Sequence, residues 1–467
     1  MHDARTEHVA GVTPAGPRGV VGLRSRALTA TSSIAPVVAV ASGASLILGL
    51  IRLGTPSLWI DESFTALVVG GPLSGLWEQL HAFHYGIVMA WGSLAGTSEW
   101  ALRFPSVVGA MLASGLLVVL AHRLFDRRVA LASGLLLATS PFLVHWSQQA
   151  RSYTMLLAVS VLAMLLLVRA LDDGSRAAWA AYGLAFSAVI VLHPVSGLAL
   201  VVPHAVFVLQ RRDRLSPHAL IAPNLVVALG IPWAGIVGLW TRSDKGGVSW
   251  IEFPSAVSVA ESFREVSGAA GLGLALALVG LWALRRAGRT DLAVWLGTWA
   301  FAPFAVTLVA SIVKPMFLDR YLIVAAPAFA LLGGFAVWFV GSRLRTALVL
   351  ALVVATGAGL LYWYSQGRDG NWRGEDWRAA SEAVLDRRAG GEPVLVVPWS
   401  SAPAARYYGV PAVDVSTADS MWVLRWSEEG GAIPAQERSG LGFGRHRLVE
   451  RLDFGWRLSA QHWVRSP

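Results

Sequence analysis

The sequence predicts an all-α membrane protein with about eleven transmembrane helices and a small C-terminal α/β domain. Three observations support this fold class. Mean hydropathy over the 467 residues is +0.56, and only 14% of them are charged. Apolar segments close to the roughly 20 residues that cross a bilayer recur between residues 34 and 364. Charged residues then return in the last part of the chain.

The chain begins with a polar stretch, residues 1–33, rich in Ala, Gly, Pro and Arg. It has no apolar run next to Met1, so we expect a disordered cytoplasmic tail and not a cleavable signal. The apolar segments that follow are expected to be helical, because lipid cannot satisfy open backbone groups. They span residues 34–54, 104–121, 129–145, 153–170, 178–192, 196–210, 218–239, 267–284, 291–313, 321–341 and 346–364.

Basic residues set the expected orientation. They concentrate in alternate connecting segments, which places the N-terminus in the cytoplasm and the long first loop, residues 55–103, outside. An odd number of crossings then delivers residues 365–467 to the outside as an extracytoplasmic domain. Within it, Trp377–Leu385 is patterned as a helix and Pro393–Val397 as a buried strand, which predicts an α/β fold.

Composition also excludes several kinds of chemistry. The chain has no cysteine, so disulfides, thiolate nucleophiles and Cys-ligated metals are ruled out. The net charge of +9 comes from arginine-rich segments between apolar runs, and it does not predict a nucleic-acid partner. No internal repeat of fixed period is visible.

Two carboxylates follow the first span in the run LWIDESFTA. Asp61 and Glu62 are expected at the outer interface, where an ionised group costs free energy and therefore marks a functional site by default. A structural alternative is that Asp61 is the N-cap of the next helix, since Asp is a favoured N-cap residue. Both can hold at once. Further along the loop, apolar residues at helical spacing from Leu73 to Phe83 predict an interfacial helix.

Basic residues expected on the outer side form a second set. Arg103 ends the first loop in SEWALRFPS, and Arg151 precedes Tyr153 in the tight turn SQQARSYTM, which we expect to line a cavity. Lys314 and Arg320 occur in IVKPMFLDRYL on the expected outer side, where the positive-inside rule makes basic residues rare. Binding of an anionic phosphate is the simplest explanation for their presence there. The alternatives are interface anchoring for Arg103, a structural role for Arg151 and an ion pair with Asp319 for the last two.

Three histidines complete the polar set. His81 and His84 would share a helical face, but two histidines without a third ligand are a weak metal signal, so we expect packed imidazoles. His193 precedes a proline at an outer turn, where the simplest reading is a helix end.

The ordered runs LWIDESFTA, TSEWALRFPS, SQQARSYTM and FLDRYLIVAAPAFALL resemble bacterial multi-spanning glycosyltransferases of the GT-C superfamily. Among these, the chain is most similar to protein-mannosyltransferase-like members (glycosyltransferase family 39) of actinobacteria. The matches cover about Leu58–Leu332, and EDWRAASEAV looks like the start of the outer domain in many such proteins. The resemblance implies that residues 34–364 form a GT-C-like transmembrane catalytic domain.

The resemblance also implies a reaction. It would be an inverting transfer, metal-independent or metal-assisted, of a sugar, with mannose expected, from a polyprenyl-phosphate donor to a cell-envelope glycan, lipid or protein. No cofactor is predicted, and the partners are the donor, the acceptor and the bilayer. The implied roles are catalytic base for Asp61 and supporting carboxylate for Glu62, donor-phosphate binding for Arg103, Arg151, Lys314 and Arg320, and substrate binding for His84, Tyr153 and Tyr321.

One departure from the family pattern keeps alternatives open. Relatives carry an acidic residue before a histidine-containing run in the second half of the first loop. This chain has QLHAFHYGIVMAW there, with His84 at the histidine position and no acidic residue in the run. An inactive relative that binds polyprenyl lipids is therefore one alternative. The others are transfer of arabinose or another pentose, and a lipid transporter or flippase.

Overall fold

The structure is a computed structural model that describes residues 31–72, 82–242, 250–366, 374–414, 418–427 and 431–467. Nearly all of the predicted tail and the predicted interfacial helix before residue 82 lie outside these ranges, as does His81. The helical region contains sixteen α-helices in the described ranges up to residue 366. They are α1 Thr31–Leu50, α2 Ile60–Val69, α3 Ala82–Ala95, α4 Glu99–Leu124, α5 Arg127–Ala138, α6 Pro141–Ser147, α7 Tyr153–Asp173, α8 Arg176–Leu192, α9 Pro194–Gln210, α10 Ile221–Leu225, α11 Ile231–Arg242, α12 Ala256–Ser267, α13 Leu272–Arg286, α14 Thr290–Val313, α15 Ala326–Phe339 and α16 Ser342–Gln366.

Every predicted apolar segment is helical. Within the described residues, seven helices are long and apolar enough to cross a membrane, and α5 with α6 forms a further pair bent by 57°. Three shorter apolar helices, within α1 and at α8 and α9, coincide with the remaining predicted segments. The stretch from Pro217 to Leu239 is one continuous span that contains a π-helical turn at Val226–Gly230. The multi-spanning membrane architecture is therefore confirmed.

The bundle is closely packed where α4 meets α7. A Cβ atom on Gly109 of α4 would lie 2.8 Å from the backbone N of Met155 and 2.8 Å from the backbone C of Thr154. Only glycine fits that approach, as is usual where membrane helices cross closely. This contact matters for the site because Arg103 lies on α4 and Tyr153 begins α7.

We expect Gly109→Ala to destabilise the protein by about 1–3 kcal/mol, since the added methyl group must displace backbone rather than a flexible side chain. Gly357→Ala in α16 is the matched control, because nothing lies within 4 Å of a Cβ built there. Thermal unfolding in detergent measures the difference. Equal midpoints for the two variants would contradict the close approach of α4 to α7.

The C-terminal part folds as a mixed sheet with helices. The helix predicted from Trp377 is α17, Trp377–Arg387, and the predicted buried strand is β1, Val394–Val397. The sheet order is β2-β1-β3-β5-β4, with β1 parallel to β2 and β3, and β5 antiparallel to β3 and β4. The other elements are α18 Ala402–Tyr407, β2 Ala412–Val413, β3 Ser420–Trp426, α19 Ala435–Gly440, β4 His446–Asp453 and β5 Leu458–Arg465.

Candidate active site

The two carboxylates at the start of α2 have different surroundings. The helix begins at Ile60 with Trp59 as its N-cap, and Glu62 accepts a hydrogen bond from the Trp59 backbone N at 3.4 Å. Asp61 therefore lies one residue inside the helix, and the alternative that it is the N-cap is wrong. Glu62 satisfies the helix terminus, which leaves the half-buried Asp61 carboxylate available for other chemistry.

Glu62 forms a fully buried ion pair with Arg103. The Arg103 Nε and Nη2 atoms donate to the two Glu62 oxygens at 2.8 and 2.7 Å, and the side chains are 2% and 0% exposed. Arg103 also donates to the carbonyl oxygens of Leu53, Pro56 and Ser57. Its five N–H donors are engaged by these partners, so in this structure Arg103 holds the segment that leads into α2, and its role in binding a donor phosphate stays a prediction.

The same carboxylate ties α2 to the turn between α6 and α7. Glu62 Oε1 accepts from the Ala150 backbone N at 2.7 Å, and Thr65 Oγ1 donates to the Ala150 carbonyl at 2.9 Å. From the other side, Ser106 on α4 donates to the Arg151 carbonyl at 3.0 Å. These bonds fix the position of Arg151 next to the first turn of α2.

Arg151 contacts the backbone of Asp61. Its Nη1 atom donates to the Asp61 backbone carbonyl at 3.2 Å and lies 3.5 Å from the Tyr85 hydroxyl. The Asp61 carboxylate and the Tyr153 phenol are also within electrostatic range of the Arg151 guanidinium. The predicted proximity of Asp61 and Arg151 is thus present in the structure.

Arg320 approaches the same carboxylate from the other half of the chain. It lies in a 3-10 turn, Asp319–Ala325, just before α15, and is 5% exposed. Its Nε atom has no hydrogen-bond partner among the residues the structure describes. Instead, its guanidinium carbon lies 5.2–6.0 Å from the ring centroids of Trp146, Trp250 and Tyr321. Asp61 is again within electrostatic range.

Three aromatic side chains line the space between the arginines. The ring centroids of His193 and Tyr321 are 4.3 Å apart, and those of Tyr153 and Tyr321 are 6.5 Å apart. His193 Nδ1 lies 2.9 Å from Ser196 Oγ, which donates to the Tyr321 carbonyl. Burial, followed by the nearby Arg320 and Arg151 cations, lowers the pKa of His193 to about 3. His193 is therefore neutral at physiological pH.

His84 is buried beside Arg151 at the start of α3. Burial, with a further contribution from Arg151, lowers its pKa to about 3, and the side chain is 1% exposed. Neither ring nitrogen has a side-chain hydrogen-bond partner in the described part of the chain, and the Ala150 backbone is the polar group that acts on the ring. A neutral imidazole of this kind suits hydrogen bonding to a hydroxyl group, and it does not suit binding a phosphate as a cation.

Lys314 occupies a different position from the arginines. It is the C-cap of α14 and is half-buried. Lys314 takes no part in the contacts given above for Asp61, Arg151 and Arg320. Its role in phosphate binding therefore stays a prediction. Among the described residues, no group of three His, Asp or Glu side chains is arranged to hold a metal ion.

Sequence reasoning missed several residues of the site. Tyr85, Trp146 and Trp250 each contact one of the two arginines, and His193 contacts Tyr321, although its position before a proline indicates only a helix end. Aromatic residues are common in membrane helices and at interfaces, so their type gave no signal. His193 and Trp146 could have been found only through their contacts with Tyr321 and Arg320, which are far away in the sequence.

Together these side chains form one site from six separated segments. A half-buried carboxylate, Asp61, lies within electrostatic range of two guanidinium groups, Arg151 and Arg320, with neutral imidazole and phenol groups beside them. Such an arrangement can accept a proton at the carboxylate while the arginines stabilise an oxyanion. Glu62 and Arg103 hold the first of these segments in place.

Comparison with known proteins supports the fold. A family model described as dolichyl-phosphate-mannose-protein mannosyltransferase matches residues 84–235. No curated protein sequence matches the chain. The structure of ArnT from Cupriavidus metallidurans bound to undecaprenyl phosphate is similar at a TM-score of 0.61 and 17% identity, over 93% of this chain and 98% of ArnT.

Two further structures show the same likeness. ArnT from Cupriavidus metallidurans in the apo state gives a TM-score of 0.60 at 16% identity, over 93% of this chain and 98% of that one. The oligosaccharyltransferase from Archaeoglobus fulgidus in the apo form gives 0.50 at 12% identity, over 82% of this chain and 64% of that one. The resemblance inferred from the sequence is thus confirmed at the level of architecture, and the chain is a multi-spanning membrane protein with the overall fold of these structures and a small C-terminal sheet domain.

Proposed function

We propose that the chain is an inverting glycosyltransferase. It moves one sugar from a polyprenyl-phosphate donor to a cell-envelope glycan, lipid or protein on the outer side of the membrane. Asp61 is the catalytic base, and Arg151 and Arg320 bind the donor phosphate. His84, Tyr153 and Tyr321 line the sugar-binding part of the site.

One observation carries this proposal: the guanidinium of Arg320 is buried within electrostatic range of Asp61, and its Nε lacks a hydrogen-bond partner among the described residues. Buried charges are normally paired, because leaving water costs several kcal/mol per ion. The Asp61 carboxylate makes no ion pair with a described residue, so it does not neutralise Arg320 by direct contact. An anionic ligand that binds between the arginines would supply the missing partner.

The reaction follows from this geometry. The acceptor hydroxyl gives its proton to the Asp61 carboxylate while its oxygen attacks the anomeric carbon. The bond from that carbon to the phosphate oxygen breaks, and polyprenyl phosphate leaves with one additional negative charge. Arg151 and Arg320 stabilise that charge. A single displacement at the anomeric carbon inverts its configuration.

The comparisons support the donor class. The ArnT structure that this chain resembles contains undecaprenyl phosphate, and the matching family model is named for a dolichyl-phosphate-mannose donor. A polyprenyl chain lies in lipid and holds its phosphate at headgroup height. We therefore expect a polyprenyl-phosphate donor here, with mannose as the first sugar to test.

Charge distribution supports an outward-facing site. Basic residues gather at the end of the bundle opposite Asp61, at Arg123, Arg128, Arg211, Arg286 and Arg343. The positive-inside rule assigns that end to the cytoplasm. The N-terminus would then be cytoplasmic, and the C-terminal domain, which contacts the Asp61 end, would be extracytoplasmic.

A panel assay tests the proposal directly. The purified protein is incubated in proteoliposomes with polyprenyl-phosphate hexoses and pentoses and a cell-envelope extract as acceptor, and the consumed donor is identified. We expect one donor to be consumed, with release of polyprenyl phosphate and an inverted product linkage. Movement of an unchanged lipid across the bilayer would favour a flippase instead. Binding without turnover of any donor would favour an inactive relative.

Arg320→Gln is expected to weaken binding of polyprenyl phosphate by roughly 10- to 100-fold, because a charge-assisted hydrogen bond is worth about 1.5–3 kcal/mol. Arg286→Gln is the matched control. Arg286 also lies over a tryptophan, at 5.5 Å from the Trp282 ring, but at the opposite end of the bundle. Binding is measured with labelled polyprenyl phosphate in nanodiscs. Equal affinities for the two variants would remove Arg320 from the phosphate site.

A further inference from the structure

The segment that leads into α2 is held by the C-terminal domain. Ser57 Oγ donates to the Glu375 carbonyl at 3.0 Å and accepts from the Trp377 backbone N at 3.3 Å. Arg378 Nη1 donates to the Thr55 carbonyl at 3.1 Å. These contacts join residues that are more than 300 positions apart in the chain. They end only four residues before Asp61.

Tyr408 makes the contact nearest to the helix. Its hydroxyl accepts a hydrogen bond from the Leu58 backbone N at 2.8 Å and donates to Glu99 Oε1 at 3.1 Å. Arg378 forms an ion pair with the same carboxylate and lies 5.8 Å from the Tyr408 ring centroid. Burial raises the pKa of Tyr408, so its hydroxyl stays protonated and keeps donating at physiological pH.

The anchor on the domain side is itself rigid. Glu375 is 1% exposed, and its carboxylate accepts from the indole nitrogens of Trp377 at 2.8 Å and Trp426 at 2.9 Å. Trp377 is fully buried in the core of the C-terminal domain, and Ile60 at the start of α2 packs against that core. The bonds to the α2 segment therefore come from a fixed frame, not from a mobile loop.

The opposite side of the segment is held by Arg103. That side chain donates to the carbonyls of Pro56 and Ser57. The C-terminal domain binds the same segment through the Ser57 hydroxyl and the Leu58 amide. The segment is thus clamped between a buried arginine of the bundle and a polar surface of the outer domain. Asp61 follows directly, in the first turn of α2.

We propose that Tyr408 is a positioning residue, through which the C-terminal domain fixes the first turn of α2 and hence the Asp61 carboxylate. The proposal rests on the proposed function, because it assigns a catalytic consequence to this contact. Tyr408 touches neither Arg151 nor Arg320 in the described contacts. Its loss should therefore affect turnover and leave donor binding unchanged.

Tyr408→Phe tests the proposal, because it removes only the hydroxyl and keeps the ring. Tyr407→Phe is the matched control: its hydroxyl donates to the Thr97 carbonyl at 2.8 Å, whereas its ring, which the variant keeps, packs against the cluster that contains Leu58 and Ala66. Hydrogen–deuterium exchange of peptides covering residues 53–64 reports the position of the segment without needing turnover. Steady-state transfer gives kcat and the KM for the donor separately.

We expect Tyr408→Phe to speed exchange at the Leu58 amide and to lower kcat about tenfold or more, since small misplacement of a catalytic group is costly. The donor KM and the binding of polyprenyl phosphate should stay near wild type, and Tyr407→Phe should behave as wild type in both measurements.

Three outcomes would overturn the proposal. One is unchanged exchange and unchanged kcat in Tyr408→Phe. Another is an equal effect in both tyrosine variants, which would indicate a general loss of the domain interface. A third is lower thermal stability with unchanged kcat, which would make the contact merely structural. If the wild-type protein transfers no sugar at all, the proposed function fails, and the exchange data alone still decide whether Tyr408 holds the α2 segment.

Discussion

Asp61→Asn is expected to lower the rate of sugar transfer by roughly 10²- to 10⁴-fold, the range typical of a general base. The amide has nearly the shape of the carboxylate but cannot accept the acceptor's proton. Glu62 and Arg103 do not depend on the Asp61 side chain, so the variant should fold normally. Binding of polyprenyl phosphate should be kept or strengthened, since one negative charge near the two arginines is removed. Transfer of labelled sugar measures the rate, thermal unfolding measures the stability, and labelled polyprenyl phosphate in nanodiscs measures the binding.

Asp126→Asn is the matched control for this prediction. Asp126 is the N-cap of α5, where its carboxylate accepts from the backbone N atoms of Arg128 and Val129, and asparagine can accept in the same way. We expect wild-type turnover in that variant. Turnover of Asp61→Asn within a few-fold of wild type would remove Asp61 as the base.

Arg103→Met is expected to destabilise the protein by about 3–5 kcal/mol, because it leaves the Glu62 carboxylate buried without its cation. The same change leaves three backbone carbonyls of the segment before α2 without their donor. Combining it with Glu62→Gln should recover part of the loss, since the uncompensated charge is then gone. The measurement is unfolding in detergent for the single variants and the double variant.

An exposed ion pair supplies the control for this second prediction. Arg264 Nη2 lies 2.9 Å from Glu265 Oε1, and the two side chains are 56% and 42% exposed. Surface pairs contribute about 0–1 kcal/mol, so Arg264→Gln should leave the midpoint nearly unchanged. A loss of similar size for Arg103→Met and Arg264→Gln would mean that the Glu62 pair does not anchor the site.

The architecture could be predicted because its determinants are local. Each apolar run is long enough to specify a helix by itself, and the alternation of charge between runs gives their direction. The same holds for α17 and β1, whose patterns lie within about ten residues. The proximity of Asp61, Arg151 and Arg320 was also predictable, since topology places their turns at one end of the bundle.

Which charged residues pair internally and which face the site could not be predicted. Glu62 directly follows Asp61 in sequence, and nothing in LWIDESFTA shows that one carboxylate is buried against Arg103 while the other faces the site. Arg103 and Arg320 look equally suited to bind phosphate. Only packing reveals that Arg103 is engaged by internal partners and that the Arg320 Nε has none among the described residues.

The contacts across the domain interface were beyond sequence reasoning for a different reason. Tyr408 and Glu375 are ordinary residues of an outer domain, and their partners Leu58 and Ser57 act through a backbone amide and a small hydroxyl. Neither partner carries a charge pattern or a spacing that indicates an interface. Pairings of this kind depend on where two independently folded parts meet.

A structure of the protein with bound polyprenyl phosphate would show whether Asp61, Arg151 and Arg320 act on one ligand. We expect the phosphate within hydrogen-bond distance of both Arg151 and Arg320, beside Tyr321, with the Asp61 carboxylate facing the open side where an acceptor hydroxyl can enter. A phosphate held elsewhere, with Arg320 still lacking an anionic partner and Asp61 turned away from the bound headgroup, would contradict this expectation.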